Sequence, residues 1–250
     1  MKIFTVCHKD IVFPRKKGYV PIAVGKLSES EKSTIIYKDN QGDNISWKNS
    51  NYSELTALYW IWKNCDEDIV GLVHYRRFFA NHFLWKTVLS ERRILEILES
   101  KDIIIPKARV MDVTGQLPDQ TIWEHFEKWH NIDDLIQTRE IIREKYPEYM
   151  DSFEEVCSKK TIWPYNMMIC KKELFDEYCQ WLFEILFELE KRVDITTYDW
   201  YQKRLFGFIS ERLLNVWVTH HRLQSVEMPI LNTALKRNKC FTIISKIRKS

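Results

Sequence analysis

The chain has 250 residues, 45% of them hydrophobic and 14% aromatic, with 38 Lys and Arg against 35 Asp and Glu. That suits one large domain with a substantial core. The formal net charge of +3 speaks against a nucleic-acid backbone as partner, and six glycines without GxGxxG or GxxxxGK[ST] argue against dinucleotide-loop and P-loop chemistry.

Ile3–Val6 reads as the first strand, and a chain that begins on it is expected to carry no signal peptide. Tyr19–Val24 and Thr34–Tyr37 read as short extended segments. Ser53–Asn64 reads as a helix, with Leu55, Leu58, Tyr59 and Trp62 at helical spacing. The β-branched run Ile69–Val73 reads as a buried strand. A helix over about Thr87–Ser100 leads to the strand Asp102–Pro106, which proline stops. This alternation predicts an α/β fold with a mainly parallel sheet flanked by helices. The second half is helix-rich: Asp133–Lys145, Glu173–Lys191 and about Tyr198–His220, with a strand at Asn166–Cys170. Gly207 inside the last helix marks a close approach or a break. Without repeats or Pro/Gly/Ser-rich linkers, residues 1–250 are expected to form one domain: a part over 1–106 that is nucleotide-binding in style, a helix-rich part over 107–235, and a tail over 236–250.

The tail holds six Lys/Arg and no acid, a composition that suits either a solvated terminus or an anionic membrane surface. Six cysteines without a CxxC pair read as reduced thiols. No apolar run has the length of a membrane span. A cytoplasmic protein, at most peripheral at the inner membrane face, is expected.

The strand Ile69–Val73 runs into His74-Tyr75-Arg76-Arg77, placing fixed cations at the carboxyl rim of a sheet, where α/β folds bind ligands. Such a rim asks for an anion, or for a structural ion pair with Asp66, Glu67 or Asp68. In an extended segment His74 and Arg76 face one side and Tyr75 and Arg77 the other. His8 and Lys9 follow strand one at the same kind of rim. Asp43 and Asn44 belong to Gly42–Ser46, a turn ahead of the helix entry at Glu54. Trp123, His125, Phe126, Trp129 and His130 gather aromatic and imidazole rings, but His125 and His130 are five apart and do not align as metal ligands. Glu211 is a carboxylate in an apolar helix: a base, a hydroxyl acceptor, or a partner of Arg204 or Arg212.

Six blocks together carry a resemblance: Lys2–His8, Tyr19–Gly25, Gly42–Ser46, Lys48–Asn49 with Tyr52–Asn64, Gly71–Phe78, and Gly207–Glu211. In this order, and over nearly the whole chain, they resemble the bacterial glycosyltransferases of capsular and exopolysaccharide clusters, a family long catalogued as a domain of unknown function. The resemblance implies a GT-A-like fold and a hexosyltransferase using a UDP-sugar, with UDP-galactofuranose a candidate donor. The acceptor it implies is a lipid-linked oligosaccharide. Where GT-A enzymes usually carry an Asp-x-Asp metal motif, His74–Arg77 stands instead. Arginines there could replace the electrostatic role of Mg²⁺ or Mn²⁺, so no cofactor is assigned and a divalent metal is in doubt.

The expected mechanism gives uridine to Thr5, His8 and Asp43, with Asn44 and Glu54 nearby on the donor. Tyr75, Arg76 and Arg77 hold the diphosphate. Trp123, His125, Asn166 and Arg204 face the acceptor. Glu211 or Asp199 takes the acceptor proton, with His74 as a further candidate. Two rivals are a nucleotide-binding scaffold without turnover and a nucleic-acid-binding module.

Overall fold

The computed structural model describes residues 1–9, 16–81, 87–111 and 119–233. The basic tail lies outside the described residues. In chain order the elements are β1 (Lys2–Cys7), β2 (Tyr19–Ala23), α1 (Lys26–Glu29), β3 (Tyr37–Lys38), α2 (Asn49–Tyr52), α3 (Leu55–Asn64), β4 (Ile69–His74), β5 (Arg77–Phe79), α4 (Glu91–Leu98), β6 (Ile103–Pro106) and β7 (Arg109–Val110). They continue with α5 (Ile122–Trp129), α6 (Ile132–Lys145), α7 (Met150–Ser158), β8 (Thr161–Ile162), β9 (Met168–Lys171), α8 (Lys172–Arg192), α9 (Leu205–His220), β10 (Ser225–Met228) and β11 (Ile230–Asn232).

The main sheet has the order β10-β6-β9-β4-β1-β2-β3. β9 pairs antiparallel with both β4 and β6, while β1, β2, β3 and β4 pair in parallel, as do β6 and β10. Along this path β9 alone runs against the rest. The predicted strand near Asn166–Cys170 therefore exists, but reversed and inserted between β4 and β6. The sheet thus mixes strands from both halves of the chain.

Alternation along each strand sorts side chains onto two faces. Phe4, Val6, Val70, Leu72, Ile103, Ile105, Met168 and Cys170 join the larger core with α3 and α5–α9. Ile3, Val73, Ile104 and Ile169 join the smaller core with α4, Phe78 and Phe79. Full burial of each such apolar side chain contributes about 1.5–3 kcal/mol.

Several boundaries differ from the sequence expectation, each for a local reason. The helix expected from Ser53 begins at Leu55, because Ser53 sits at φ 52 and breaks α2 from α3. The helix expected from Thr87 begins at Glu91, where Ser90 Oγ accepts from the Arg93 amide, and Val88 instead bridges to Ala80. The last helix begins at Leu205 rather than Tyr198, since Asp199 Oδ1 accepts from the Tyr201 and Gln202 amides and shapes a short 3-10 turn over Gln202–Arg204. Gly207 does not break α9; it faces Ser53, whose Cβ would lie at an ordinary contact distance of 3.8 Å from an added methyl.

Gly71 sits in mid-sheet, where an added Cβ would lie 2.7 Å from Ile169 Cγ1 and 2.8 Å from the Met168 carbonyl. The backbone oxygen cannot swing aside. Gly71→Ala is expected to destabilise by about 1–3 kcal/mol and to lower Tm by several degrees, read by thermal unfolding followed by circular dichroism.

Candidate functional site

The parallel strands β1, β2 and β4 end on one rim, and a cavity of about 660 Å³ opens there. His8 and Lys9 reach it from the end of β1, Val24 from the end of β2, and His74–Arg77 from the end of β4. The opposite wall comes from Ser53 and Glu54 at the α2–α3 break, from Tyr165, from Trp200 and Arg204, and from Glu211 on α9.

All four residues of His74-Tyr75-Arg76-Arg77 line this cavity. The two-sided strand expectation does not hold here, because the chain turns back at Tyr75-Arg76 and His74 pairs antiparallel with Arg77. A hairpin turn replaces period-two alternation. The Tyr75 ring lies against His8 edge-on at 4.7 Å, with its hydroxyl 3.2 Å from His8 Nε2, and the Arg76 guanidinium lies 4.8 Å from the Tyr75 ring centre. Arg77 stacks over Tyr165 at 4.3 Å. β11 supports the hairpin from behind by pairing with β5, and the Thr233 amide donates to the Arg76 carbonyl at 2.9 Å.

The far wall is tied together at Tyr165-Asn166, two residues held at φ 81 and φ 50. His74 Nε2 donates to the Tyr165 carbonyl at 2.7 Å, and the Tyr165 amide donates to Glu211 Oε1 at 3.1 Å. Asn166 is buried; its Nδ2 donates to Glu54 Oε1 at 2.8 Å and to the Gly207 carbonyl at 3.2 Å. One tight turn therefore orients the imidazole, both carboxylates and α9.

Four cations (Lys9, Arg76, Arg77 and Arg204) and two carboxylates (Glu54 and Glu211) face the cavity. Burial holds the His74 pKa below the usual imidazole range, and with Nε2 as donor its Nδ1 is left as an acceptor. Burial also lowers His8, helped by the charges of Lys9 and Arg76. Glu211 is pushed up by burial, against the pull of Arg212. That buried guanidinium lies 3.5 Å from Glu211 Oε2 and donates to the Phe208 carbonyl at 2.9 Å. Arg204 donates instead to Ser53 Oγ at 3.2 Å.

Of the residues singled out in the sequence, His8, Glu54, His74, Tyr75, Arg76, Arg77, Arg204 and Glu211 meet in this cavity, and Asn166 braces it. Thr5 is fully buried within β1. Asp43 and Asn44 lie apart, in a turn clasped to the end of α3: Tyr59 donates to Asp43 Oδ1 at 3.1 Å, Asn64 brackets the Asp43 backbone, and Asn44 Oδ1 accepts from Ser46. Trp123 and His125 are on α5, outside the cavity lining, and Trp123 packs on the larger core. Asp199 lines a second cavity. The acid run Asp66–Asp68 sits at the amino end of β4, where Glu67 holds Lys2 and the chain's amino group. Tyr165 and Trp200 were not singled out in the sequence; the turn chemistry of Pro164-Tyr165-Asn166 is the one signal that could have found the first.

Among the described residues no group of three or more His, Cys, Asp or Glu is arranged to hold a metal ion, and no helix is long and apolar enough to cross a membrane.

The second cavity, about 410 Å³, lies between the end of α5 and the Thr197–Gln202 segment. His130 Nδ1 donates to Gln202 Oε1 at 3.1 Å there, and Tyr198 donates to the buried Asp134 carboxylate at 3.0 Å. Burial lowers the His130 pKa to about 4 and raises Asp134 to about 6.

The family described as "Domain of unknown function (DUF4422)" matches residues 2–222. No curated protein matches the chain. Among solved structures, the apo structure of WbbM, a bifunctional glycosyltransferase, is similar with a TM-score of 0.82 and 31% identity over 92% of this chain. The match spans 44% of that protein's length.

Asn166→Ala removes the amide that holds Glu54 and Gly207 and leaves a non-glycine residue in the left-handed region; a loss of about 2–3 kcal/mol in chemical denaturation is expected. The pair at the second cavity acts with opposite signs on acid stability. His130, with its folded pKa lowered to about 4, stabilises above pH 6.5 and loses that contribution as pH falls toward 4. Asp134, raised to about 6, recovers stability on protonation as pH falls from about 6 toward 3.8. Urea midpoints between pH 7 and 4 are therefore expected to show a shallower acid limb in His130→Gln and a steeper one in Asp134→Asn.

Proposed function

The chain belongs to the DUF4422 family, and on that premise we propose that it is a glycosyltransferase moving a sugar from a UDP-sugar to a saccharide acceptor. The observation that carries this reading is the cavity in which a cationic hairpin at the carboxyl rim of a parallel sheet faces two carboxylates. Its likeness to one part of a bifunctional glycosyltransferase supports it.

Transfer needs two things from the protein. The bond between the anomeric carbon and the diphosphate oxygen must break, and the negative charge gathering on the departing UDP must be met. Arg76 and Arg77 supply permanent positive charge with forked donors suited to phosphate. Their stacking on Tyr75 and Tyr165 restricts where those forks point. The acceptor hydroxyl must also lose its proton as it attacks the anomeric carbon. Glu211 is assigned that role: burial raises its pKa, which makes the carboxylate a better base, while the Tyr165 amide orients it. His74, held neutral, shapes the site through the Tyr165 carbonyl. His8, in the lining at the end of β1, is assigned to the nucleoside end of the donor.

In this reading the arginines carry the neutralisation that Mg²⁺ or Mn²⁺ supplies in metal-using transferases. UDP-galactofuranose is the first donor to test. The acceptor is a lipid-linked oligosaccharide of capsule or exopolysaccharide assembly, met at the membrane through the basic tail.

Calorimetric titration with UDP is expected to show binding that weakens about tenfold or more, some 1.4 kcal/mol, in Arg76→Ala and in Arg77→Ala. Glu211→Gln is expected to bind UDP as the parent does while transfer falls by about 10²–10⁴-fold. EDTA is expected to leave transfer unchanged. Absence of UDP binding in the parent would sink the assignment, and tight UDP binding without transfer to any acceptor would favour a scaffold role.

A further inference from the structure

The second cavity and the exposed aromatic side chains around it are not used by the donor chemistry. Trp129 at the end of α5 is 52% exposed, Trp200 79% and Tyr201 40%. Large rings at such exposure on one strip of surface mark a place that binds something. The strip is also built, not loose. Gln202 Nε2 donates to the Trp129 carbonyl at 2.7 Å, and Asn131 Nδ2 donates to the Tyr198 hydroxyl. The His130 ring stacks with Tyr201 at 6.0 Å and lies 4.2 Å from Phe208. These contacts fix the backbone beneath the rings, and the only cation over the Trp129 ring among the described residues is the Lys128 ammonium, 5.4 Å from its centre.

The segment Thr197–Gln202 divides the two cavities. Trp200 lines the larger one, and its neighbours Asp199 and Gln202 line the smaller. A ligand whose end sits beside Glu211 and which continues past Trp200 arrives at the second cavity. There the walls carry Asn131, Thr197, Tyr198 and Gln202, neutral amides and hydroxyls partly engaged with one another and with His130, Asp134 and the Trp129 carbonyl, with one lysine, Lys128, and one acid, Asp199. Neutral donors and acceptors beside exposed indole faces match the two surfaces of a sugar ring, its hydroxyl edge and its C–H face. An anionic membrane surface would instead call for clustered cations.

We propose that the Trp129–Gln202 strip is an extended acceptor subsite, which holds the inner sugars of an oligosaccharide while its terminal hydroxyl enters the cavity beside Glu211. Trp200 stacks on the sugar next to the reacting one, and Trp129 on a sugar further in. The subsite deepens the transferase reading and rests on it, and it makes the acceptor an oligosaccharide and not a monosaccharide.

The test is retention of the purified full chain on an array of di- to hexasaccharides, with UDP titration run in parallel. The parent is expected to bind a subset of the longer glycans. Trp129→Ala and Trp200→Ala are expected to lose that retention by tenfold or more, Trp129→Ala keeping UDP affinity within twofold; Trp129→Phe and Trp200→Phe are expected to restore most of it. Where an arrayed glycan also accepts sugar, the alanine variants are expected to raise its KM with little change in kcat. Loss of UDP binding by the parent would count against the transferase assignment. UDP binding with no glycan retained, or with retention unchanged in both alanine variants, would overturn the subsite alone. So would alanine variants that lose binding to phosphatidylglycerol vesicles while glycan retention stays as in the parent.

Discussion

The tight turn at Tyr165-Asn166 is the constraint on which the site depends. Two consecutive non-glycine residues at φ 81 and φ 50 cost about 1–3 kcal/mol each. The turn persists because its surroundings over-determine it. The Tyr165 carbonyl is taken by His74, its amide by Glu211, and the Asn166 side chain by Glu54 and the Gly207 carbonyl. These partners come from β4, α9 and the entry to α3, elements far apart in the chain. The turn leads into β9, the strand that runs against its neighbours, so the reversal in the sheet delivers the turn to the rim where the parallel strands end.

The charges around the cavity are arranged so that they do not cancel. Arg212 is buried against Glu211, and Arg204 is held by Ser53, whereas Arg76 and Arg77 rest on tyrosine faces. A guanidinium stacked on a ring keeps its edge donors for a ligand, while one paired to a carboxylate spends them. The hairpin thus offers cations, and the α9 side offers a carboxylate whose proton affinity burial has raised. One wall can meet a leaving anion while the other takes a proton.

Support for this arrangement comes from packing on both faces of the sheet. Gly71 lets β9 approach β4 closely, and α9 lies at Gly207 against the α2–α3 break, where Ser53 and Glu54 reach the cavity. At Gly71 the missing side chain sets the distance between β4 and β9. The aromatic content divides in the same way. Trp217, Tyr178 and Trp181 are buried in the larger core, while Trp129 and Trp200 stay at the surface beside the two cavities.

The strand runs Ile3–Val6, Ile69–Val73 and Ile103–Ile105 were legible because β-branched residues buried on both faces leave an unbroken apolar signature. The long helix α8 was legible from its periodicity, and the rim position of His8 and of His74–Arg77 followed from where those strands stop. What stayed hidden depends on contacts between distant parts of the chain. Period-two alternation, which assigned His74 and Arg76 to one side, has no way of registering a two-residue hairpin backed by β11. Asp43 and Asn44 carry turn chemistry that looks the same whether it serves a ligand or, as here, the end of α3. Asp199 is a carboxylate of the right kind in a helical reading, yet its oxygen shapes the turn before α9. The order of residues by itself determined the α/β layering and the cationic strand end, because both are local patterns of burial and charge. The reversed strand, the meeting of Glu54, His74 and Glu211 around one turn, and the division of the tryptophans between core and surface were decided by tertiary structure, since each needs groups more than forty residues apart to come within bonding distance.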